Sequence, residues 1–296
     1  MTAPRPEGRG LRRRGTARRL AAALALAALC GCSATAARPP AVKLGTSRLT
    51  VGAAAASGAA FEASTGVRPA IVEHYIEPGD PFSAAFAGGA VPLIQVMPYN
   101  VSLAAVASGA EDPWIRSYAR AVAAYGKPVI LGFGAEMNGP WYPWGYTRSS
   151  PAAYIAAYRH VVGAFRAAGA GNVTWIWTVN VASRGVSGPA AWWPGAGQAG
   201  IIGVDGYYDT APETFANHIA PTVAAVRKLS GAPVILSETS AAPAAGQVAK
   251  IADLFAGASA DRLAGIIWFD LPGNKDWVLK SPAALAAFRA AVKEYG

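Results

Sequence analysis

Two glutamates stand at the ends of apolar segments, where a pair of carboxyl groups could do chemistry. Glu136 follows the run KPVILGFG at 127–134, and Glu238 ends the run PVILSE at 233–238. Hydrolysis of a glycosidic bond needs such a pair, because one carboxyl gives a proton to the leaving oxygen while the other, ionised, attacks the anomeric carbon. We therefore predict that Glu136 and Glu238 are catalytic. A salt-bridged glutamate at the rim of the fold is the alternative interpretation of either residue.

Aromatic residues follow the first glutamate closely. Trp141, Tyr142 and Trp144 lie within eight residues of it, among glycines and prolines that disfavour a regular helix. Sugar rings present patches of axial C–H groups that pack on aromatic faces, so Trp141 and Trp144 are predicted to bind substrate. The alternative is that they close the top of the fold as a plug.

Three further strand ends carry residues that suit the same cleft. Asn180 follows the segment containing Trp175 and Trp177, Tyr207 ends another segment, and Trp268 lies in the last one. We predict that Asn180, Tyr207 and Trp268 contact substrate, with the Tyr207 hydroxyl also donating to Glu238. Core packing is the alternative for each.

The elements that must position these residues form a regular alternation. Eight short apolar runs are separated by amphipathic helical stretches, as expected of parallel strands that are covered on both faces. The runs are Leu49–Gly52, Ala70–His74, Pro92–Val96, Pro128–Phe133, Val173–Val179, Ile201–Tyr207, Pro233–Glu238 and Gly265–Asp270. Asp112-Pro113, Ser150-Pro151 and Ser281-Pro282 predict helix starts.

Eight strand–helix units predict an α/β fold, a (β/α)8 TIM barrel, with an open doubly wound sheet as the alternative. No glycine-rich phosphate loop follows an early strand, which disfavours a dinucleotide-binding form of that alternative. In a (β/α)8 barrel the chemistry lies at the C-terminal ends of the strands, where Glu136 and Glu238 are predicted to face one another.

The N-terminal segment has the pattern of a targeting sequence. An arginine-rich stretch precedes the alanine- and leucine-rich run 20–29, and Leu29-Cys30-Gly31-Cys32 resembles a bacterial lipobox. We predict a lipoprotein-type signal peptide at 1–31, lipidation of Cys32, a linker at 32–44 and a barrel domain at 45–296. A secretory leader cleaved near 34–37 is the alternative. Both versions predict an extracellular location, and the first predicts a cell-surface lipoprotein.

The charge and the cysteine content of the sequence give no indication of nucleic-acid or metal binding. The first 31 residues hold seven arginines and one glutamate, so the rest has 19 basic and 16 acidic residues, a net charge of +3 instead of +9. This excess gives no reason to expect nucleic-acid binding. The two cysteines and three scattered histidines show no metal-ligand spacing. We expect no cofactor and no metal, a polysaccharide as partner, membrane contact only through a lipid anchor, and a monomer.

The segment Glu136-Met-Asn138-Gly followed by Trp141-Tyr-Pro-Trp144-Gly resembles glycoside hydrolase family 26, the β-mannanase-type barrels. Weaker similarities continue in the family's order at 61–66, 204–207, 233–238 and 268–269. The resemblance implies a retaining mechanism with Glu136 as acid/base and Glu238 as nucleophile, and a substrate-binding Asn138. It also implies that Tyr207 is a hydrogen-bond partner of the nucleophile and Trp268 a sugar platform.

Two positions depart from the family pattern. The family often has histidine immediately before the acid/base and arginine four residues before it, where this sequence has Ala135 and Gly132. Family substrates are mainly β-1,4-mannans, with some β-glucans and β-1,3-xylan. The leading prediction is therefore an endo-acting β-glycanase such as a mannan endo-1,4-β-mannosidase. The alternatives are a non-catalytic or weakly active carbohydrate-binding lipoprotein and a β-glucanase or xylanase of a related barrel.

A retaining enzyme holds its two carboxyl groups about 5–5.5 Å apart, and an inverting one about 6.5–9.5 Å. We expect the shorter separation between Glu136 and Glu238. We also expect one member of the pair to have a raised pKa and the other a depressed one, because their roles require opposite protonation states.

Overall fold

The computed structural model describes residues 42, 44–45, 47–182, 185–273 and 276–296. The predicted signal peptide at 1–31, the lipidation site Cys32 and most of the linker at 32–44 lie outside the described residues. Within that linker Val42 and Leu44 are described, and both pack against apolar side chains of the barrel interior.

Eight parallel strands close into a barrel in chain order, which confirms the predicted (β/α)8 fold and excludes the open sheet. All eight predicted runs overlap a strand. The strands are β1 Thr50–Ala54, β2 Ile71–Ile76, β3 Val91–Val96, β4 Val129–Phe133, β5 Val173–Asn180, β6 Ile201–Tyr208, β7 Val234–Ala241 and β8 Gly265–Phe269. The ring closes where β1 pairs with β8 from Thr50–Gly265 to Ala54–Phe269.

Helices cover the outside of the barrel. They are α1 Gly58–Thr65, α2 Leu103–Ser108, α3 Asp112–Tyr125, α4 Pro151–Ala167, α5 Ala220–Arg227, α6 Gln247–Ala260 and α7 Pro282–Tyr295. Short 3-10 turns lie at Ala84–Ala87, Pro189–Trp192 and Pro243–Ala245, and a π-helical turn at Phe215–Ile219 leads into α5. No helix among the described residues is both long enough and apolar enough to cross a bilayer.

All three predicted helix starts are confirmed, and at two of them the residue before proline caps the helix. Ser150 accepts a hydrogen bond from the N–H of Ala153, and Ser281 accepts one from the N–H of Ala284, each with proline at the first helical position. Asp112 is different, because α3 already includes it. Its carboxylate instead contacts Arg116 and His160, each at 2.6 Å.

Side chains that point into the barrel form two layers. The lower one is apolar and is built mainly from isoleucine and leucine, namely Ile71, Leu93, Ile130, Ile176, Ile235 and Ile267. Above it lies a second set, here called the buried polar layer: Glu73, Gln95, Thr178, Asp205 and Ser237, each at most 2% exposed. The C-terminal ends of the strands, above this layer, form the barrel mouth.

Candidate active site

The backbone turns sharply after β4 to carry Glu136 into the mouth. Gly134 has φ 60° and Glu136 has φ 56°, so a residue other than glycine occupies the left-handed region. Such a conformation costs on the order of 1–3 kcal/mol and persists only when its surroundings hold it. The Glu136 N–H donates to the Thr178 carbonyl at 3.1 Å, and the Glu136 carbonyl accepts from Gly139 at 2.9 Å. This strained residue is the one predicted to be catalytic.

Glu136 is 8% exposed, and its carboxyl accepts two side-chain hydrogen bonds. Asn180 Nδ2 donates to Oε1 at 2.5 Å, and Trp141 Nε1 donates to Oε2 at 2.6 Å. Burial raises the pKa of Glu136 to about 8, the charge of Glu238 adds to the rise, and the two donors oppose it. At neutral pH this carboxyl therefore retains its proton, as a general acid requires.

Asn138 and Trp144 are buried and hold the backbone around Glu136 in place, contrary to the prediction that both bind substrate. Asn138 is fully buried and exchanges two hydrogen bonds with the backbone of Asn180, at 2.8 and 2.9 Å. Trp144 is 1% exposed, and its Nε1 donates to the Ala135 carbonyl at 2.8 Å. Neither has surface to offer a sugar, because both fill the space under the loop that carries Trp141.

Glu238 reaches the mouth through an irregularity in β7. The β6–β7 register passes from Val204–Leu236 to Asp205–Glu238, so Ser237 is an extra residue on the β7 side. Strict alternation would give Ser237 and Glu238 opposite faces. The bulge instead directs both into the barrel, since the Ser237 hydroxyl donates to Asp205 at 2.6 Å while Glu238 meets side chains of β2 and β6. Bulges next to active sites often re-aim a side chain in this way.

Two tyrosine hydroxyls donate to the Glu238 carboxyl, one to each oxygen. Tyr75 on β2 donates to Oε1 at 2.8 Å, and Tyr207 on β6 donates to Oε2 at 2.5 Å. The contact from Tyr207 is as predicted. Tyr75 was missed because the predicted second strand ended at His74, although Tyr75 shares the inward face of Glu73 by alternation.

The pKa of Glu238 is raised by burial, and the hydrogen bonds from Tyr207 and Tyr75 counteract the rise. The expectation of a depressed pKa on one member of the pair is therefore wrong. Both carboxyls lie in the same desolvated pocket, and desolvation disfavours the charged form of each. The two carboxyls still differ in their hydrogen-bond donors. Glu136 accepts from an amide and an indole, and Glu238 accepts from two phenols.

Trp268 does not lie at the mouth. Its side chain is fully buried on the outer face of β8, where its ring meets Phe288 of α7 at 5.2 Å between centroids. The aromatic surface beside Glu238 comes from neighbouring positions. Tyr207 contacts Trp277 at 4.7 Å and Phe269 at 5.8 Å between ring centroids, and all three rings are partly exposed.

A second aromatic group lies on the Glu136 side of the mouth. Trp141 is 42% exposed and Tyr99, from the loop after β3, is 48% exposed. Tyr142 connects them, with ring centroids 6.4 Å from Trp141 and 5.7 Å from Tyr99. The Trp141 indole lies against Gly139, where a Cβ atom would come within 2.3 Å of the ring. An exposed ring with its N–H on Glu136 suits a sugar platform next to the catalytic centre.

No group of three or more histidine, cysteine, aspartate or glutamate side chains is arranged to hold a metal ion within the described residues.

Comparison with known proteins assigns the chain to a family. A model described as glycosyl hydrolase family 26 matches residues 114–277, more than half of the chain and including both glutamates. The chain belongs to glycosyl hydrolase family 26.

This family 26 chain is similar to known proteins whose names indicate different substrates. Endoglucanase H of Acetivibrio thermocellus is 29% identical over 256 residues, a match that spans 78% of this chain and 28% of the relative. A modular endo-β-1,4-mannanase from Cellulomonas fimi shares the fold with a TM-score of 0.64 at 17% identity, covering 82% of this chain and 70% of that one. An endo-β-1,4-mannanase from Bacillus sp. JAMB-750 has a TM-score of 0.62 at 15% identity, covering 83% and 86%.

The structure accounts for one of the two departures from the family 26 pattern. Gly132 faces the barrel interior, and a Cβ atom there would lie 2.0 Å from Oε1 of Gln95. Gln95 therefore fills the space beside this position, and any longer side chain at 132 would displace it. Ala135 is buried at 3% exposure below Trp144.

Replacing Tyr75 or Tyr207 with phenylalanine should lower the kcat of glycoside hydrolysis by this family 26 chain about 10- to 100-fold. Each change removes one charge-assisted hydrogen bond from Glu238, and such bonds contribute about 1.5–3 kcal/mol. Because both donors lower the pKa of Glu238, the acid limb of the kcat/KM profile should move to higher pH. Tyr146→Phe, at an exposed tyrosine, is the control. An acid limb that stays in place in both variants would contradict the assigned role.

Proposed function

We propose that this chain is a retaining, endo-acting hydrolase of a β-linked polysaccharide such as β-1,4-mannan, with Glu136 as acid/base and Glu238 as nucleophile. The observation that carries the proposal is the different environment of the two carboxyls. Glu136 has a pKa of about 8 and so holds a proton at neutral pH. Glu238 accepts two phenolic hydrogen bonds, which favour its ionised form. These are the protonation states with which a double displacement begins.

The first step transfers the sugar to the enzyme. The Glu136 carboxylic acid gives its proton to the glycosidic oxygen, a carboxylate oxygen of Glu238 bonds to the anomeric carbon, and the leaving sugar departs as an alcohol. Glu238 is then a neutral ester, so the charge that contributes to the raised pKa of Glu136 is gone. The pKa of Glu136 falls, and Glu136 can act as a base.

The second step releases the product. Ionised Glu136 removes a proton from water, the water oxygen bonds to the anomeric carbon, and the ester bond to Glu238 breaks to restore its carboxylate. Glu136 ends protonated, as it began. The configuration at the anomeric carbon is inverted twice and is therefore retained.

Endo action is supported by the exposed aromatic surface that extends beyond the catalytic centre. Trp141 and Tyr99 lie on the side of Glu136, where the leaving part of the chain must be, and Trp277 lies beside Tyr207. Rings on both sides of the carboxyl pair suit a polymer that occupies several sites. A single terminal sugar would not need them.

A β-glucan is the second candidate substrate. The sequence relative named Endoglucanase H is 29% identical, whereas the two mannanases named above are 15% and 17% identical. Ala135 also stands where the family often has histidine, so the contacts to the sugar differ at this point.

Assaying the purified protein on mannan, mixed-linked glucan, β-1,4-glucan and β-1,3-xylan will test the proposal. We expect a rapid fall in viscosity with oligosaccharide products on one of these polymers, and proton NMR of the first product should show the β-anomer. An α-anomer would refute retention. Binding to a polymer without hydrolysis of any would favour the carbohydrate-binding alternative.

The location of the protein is a separate proposal that rests on the leader alone. We propose that the chain is exported and acts at the cell surface as a monomeric lipoprotein anchored through Cys32, since Leu29-Cys30-Gly31-Cys32 follows an arginine-rich and then an apolar stretch. A polysaccharide too large to enter a cell must be cut outside it.

A further inference from the structure

The buried polar layer lies one step below the residues that hold the catalytic carboxyls. Glu73 precedes Tyr75 by two residues on β2, and Asp205 precedes Tyr207 by two residues on β6. The carbonyl oxygen of Thr178 accepts the backbone N–H of Glu136 at 3.1 Å. The layer is therefore connected to both sides of the site.

Two glycines make room for this layer. A Cβ atom on Gly132 would lie 2.0 Å from Gln95 Oε1, and one on Gly203 would lie 2.2 Å from Ser237 Oγ and 2.5 Å from Thr178 Oγ1. Polar side chains thus occupy space that ordinary inward-facing side chains of β4 and β6 would fill. At this level the barrel interior is therefore filled by polar side chains instead of apolar ones.

The layer brings the number of carboxyl groups inside the barrel to four. Glu73 and Asp205 join Glu136 and Glu238, and no lysine, arginine or histidine forms an ion pair with any of them within residues 47–182, 185–273 and 276–296. Burial raises the pKa of Glu73 and of Asp205 well above the ordinary range, and the charge of Glu238 adds to both. Unpaired buried charges are costly, so such groups take up protons instead.

The hydrogen bonds of the layer leave three acceptors without a donor. Gln95 Nε2 donates to Glu73 Oε1 and to Thr178 Oγ1, both at 3.2 Å, and Ser237 donates to Asp205 Oδ1. Glu73 Oε2, Gln95 Oε1 and Asp205 Oδ2 have no partner although they are fully enclosed. Buried polar atoms are normally paired, and an ionised carboxylate cannot donate. A proton on each carboxyl converts two of the three acceptors into donors.

We propose that Glu73 is a positioning residue that works as a neutral carboxylic acid, leaving Glu238 the negative charge of the resting site. Its proton supplies the layer with a missing donor, and its side chain lies one step below Tyr75 on β2, whose hydroxyl donates to Glu238 at 2.8 Å. Glu73 accepts from Gln95 Nε2, which also donates to Thr178, and the Thr178 carbonyl accepts the backbone N–H of Glu136. As a neutral acid, Glu73 keeps this network and the acid/base in position without adding a charge beside Glu238. This role rests on the proposed function of Glu136 and Glu238, but the charge state of Glu73 does not.

The charge state can be tested without any substrate. Infrared spectra of the wild type and of Glu73→Gln at pH 6 should differ by the carbonyl-stretching band of one protonated carboxyl, lost in the variant. Glu62→Gln, at an exposed glutamate of α1, is the matched control and should lose carboxylate absorption instead. Loss of carboxylate absorption in Glu73→Gln would overturn the proposal.

The pH dependence of unfolding gives an independent test. A glutamate whose pKa is raised in the folded state stabilises the protein least at high pH, because the unfolded chain releases its proton above about pH 4.3 while the folded protein keeps it. Between pH 5 and 8 the urea midpoint of the wild type should therefore fall relative to that of Glu73→Gln. A difference that is constant with pH, or that changes in the opposite direction, would overturn the proposal.

The positioning role needs a catalytic readout. Glu73→Leu should lower kcat tenfold or more with KM within about twofold, and Glu73→Gln, which keeps a donor and an acceptor, should recover most of that loss. Equal kcat in the wild type and Glu73→Leu would refute positioning while leaving the infrared result intact. If the wild type hydrolyses no polysaccharide at all, the proposed function fails, and the infrared and unfolding measurements still decide the charge state of Glu73.

Discussion

Glu238→Ala should lose activity on the preferred polysaccharide by a factor on the order of 10⁴ or more, with unfolding little changed. The variant lacks the oxygen that bonds to the anomeric carbon, and effects of this order follow the removal of a nucleophile. The two phenols of Tyr75 and Tyr207 would remain but would have no carboxylate to orient. Glu62→Ala, at an exposed glutamate, should retain full activity in the same assay.

Added azide makes this prediction sharper. Azide can occupy the space left by the carboxylate in Glu238→Ala and attack the anomeric carbon from that side, while Glu136 still protonates the leaving group. The product from a β-linked activated substrate should be the α-glycosyl azide, formed by one inversion. A β-glycosyl azide, or wild-type hydrolysis by Glu238→Ala, would exclude Glu238 as the nucleophile.

Glu136→Ala should reduce polysaccharide hydrolysis about 10²- to 10⁴-fold, the range that general acid–base catalysis contributes. The loss should depend on the leaving group. An aryl glycoside with an acidic phenol needs no protonation, so its first step should stay fast while release of the glycosyl-enzyme becomes slow. Azide should then restore turnover and yield the β-glycosyl azide, because it attacks the covalent intermediate from the side of Glu136.

The pH dependence of kcat/KM tests the raised pKa of Glu136. The wild-type kcat/KM should fall as pH rises through about 8, where Glu136 loses the proton that it must donate. In Glu136→Ala, assayed with the aryl glycoside, that alkaline limb should disappear. Persistence of the limb in the variant would assign it to another group, and equal losses on good and poor leaving groups would contradict a role as acid.

The two carboxyls could be found from local sequence because each comes after a run of apolar strand residues. A buried apolar run in a parallel barrel has little reason to lead into a glutamate, and Glu136 and Glu238 both break that pattern. The eight strands were predicted for the same reason, since parallel strands covered on both faces are short hydrophobic runs. Local rules also predicted the helix starts at Ser150 and Ser281.

The sequence could not decide which way a side chain faces once a strand becomes irregular. Alternation places Ser237 and Glu238 on opposite faces, and only the bulge between β6 and β7 turns both inward. Trp268 shows the reverse case. Its strand is regular, and alternation alone places Trp268 on the outward face, where it is buried against Phe288.

Contacts between distant strands also could not be predicted from the sequence. Tyr75 and Glu238 are 163 positions apart, and Gln95 and Thr178 are 83 apart. Their meeting depends on barrel closure, strand register and the space left by Gly132 and Gly203. The sequence by itself determined the barrel and its pair of acids, because strand composition is a local property. The tertiary structure alone decided which groups donate to each acid, because those donors come from across the barrel.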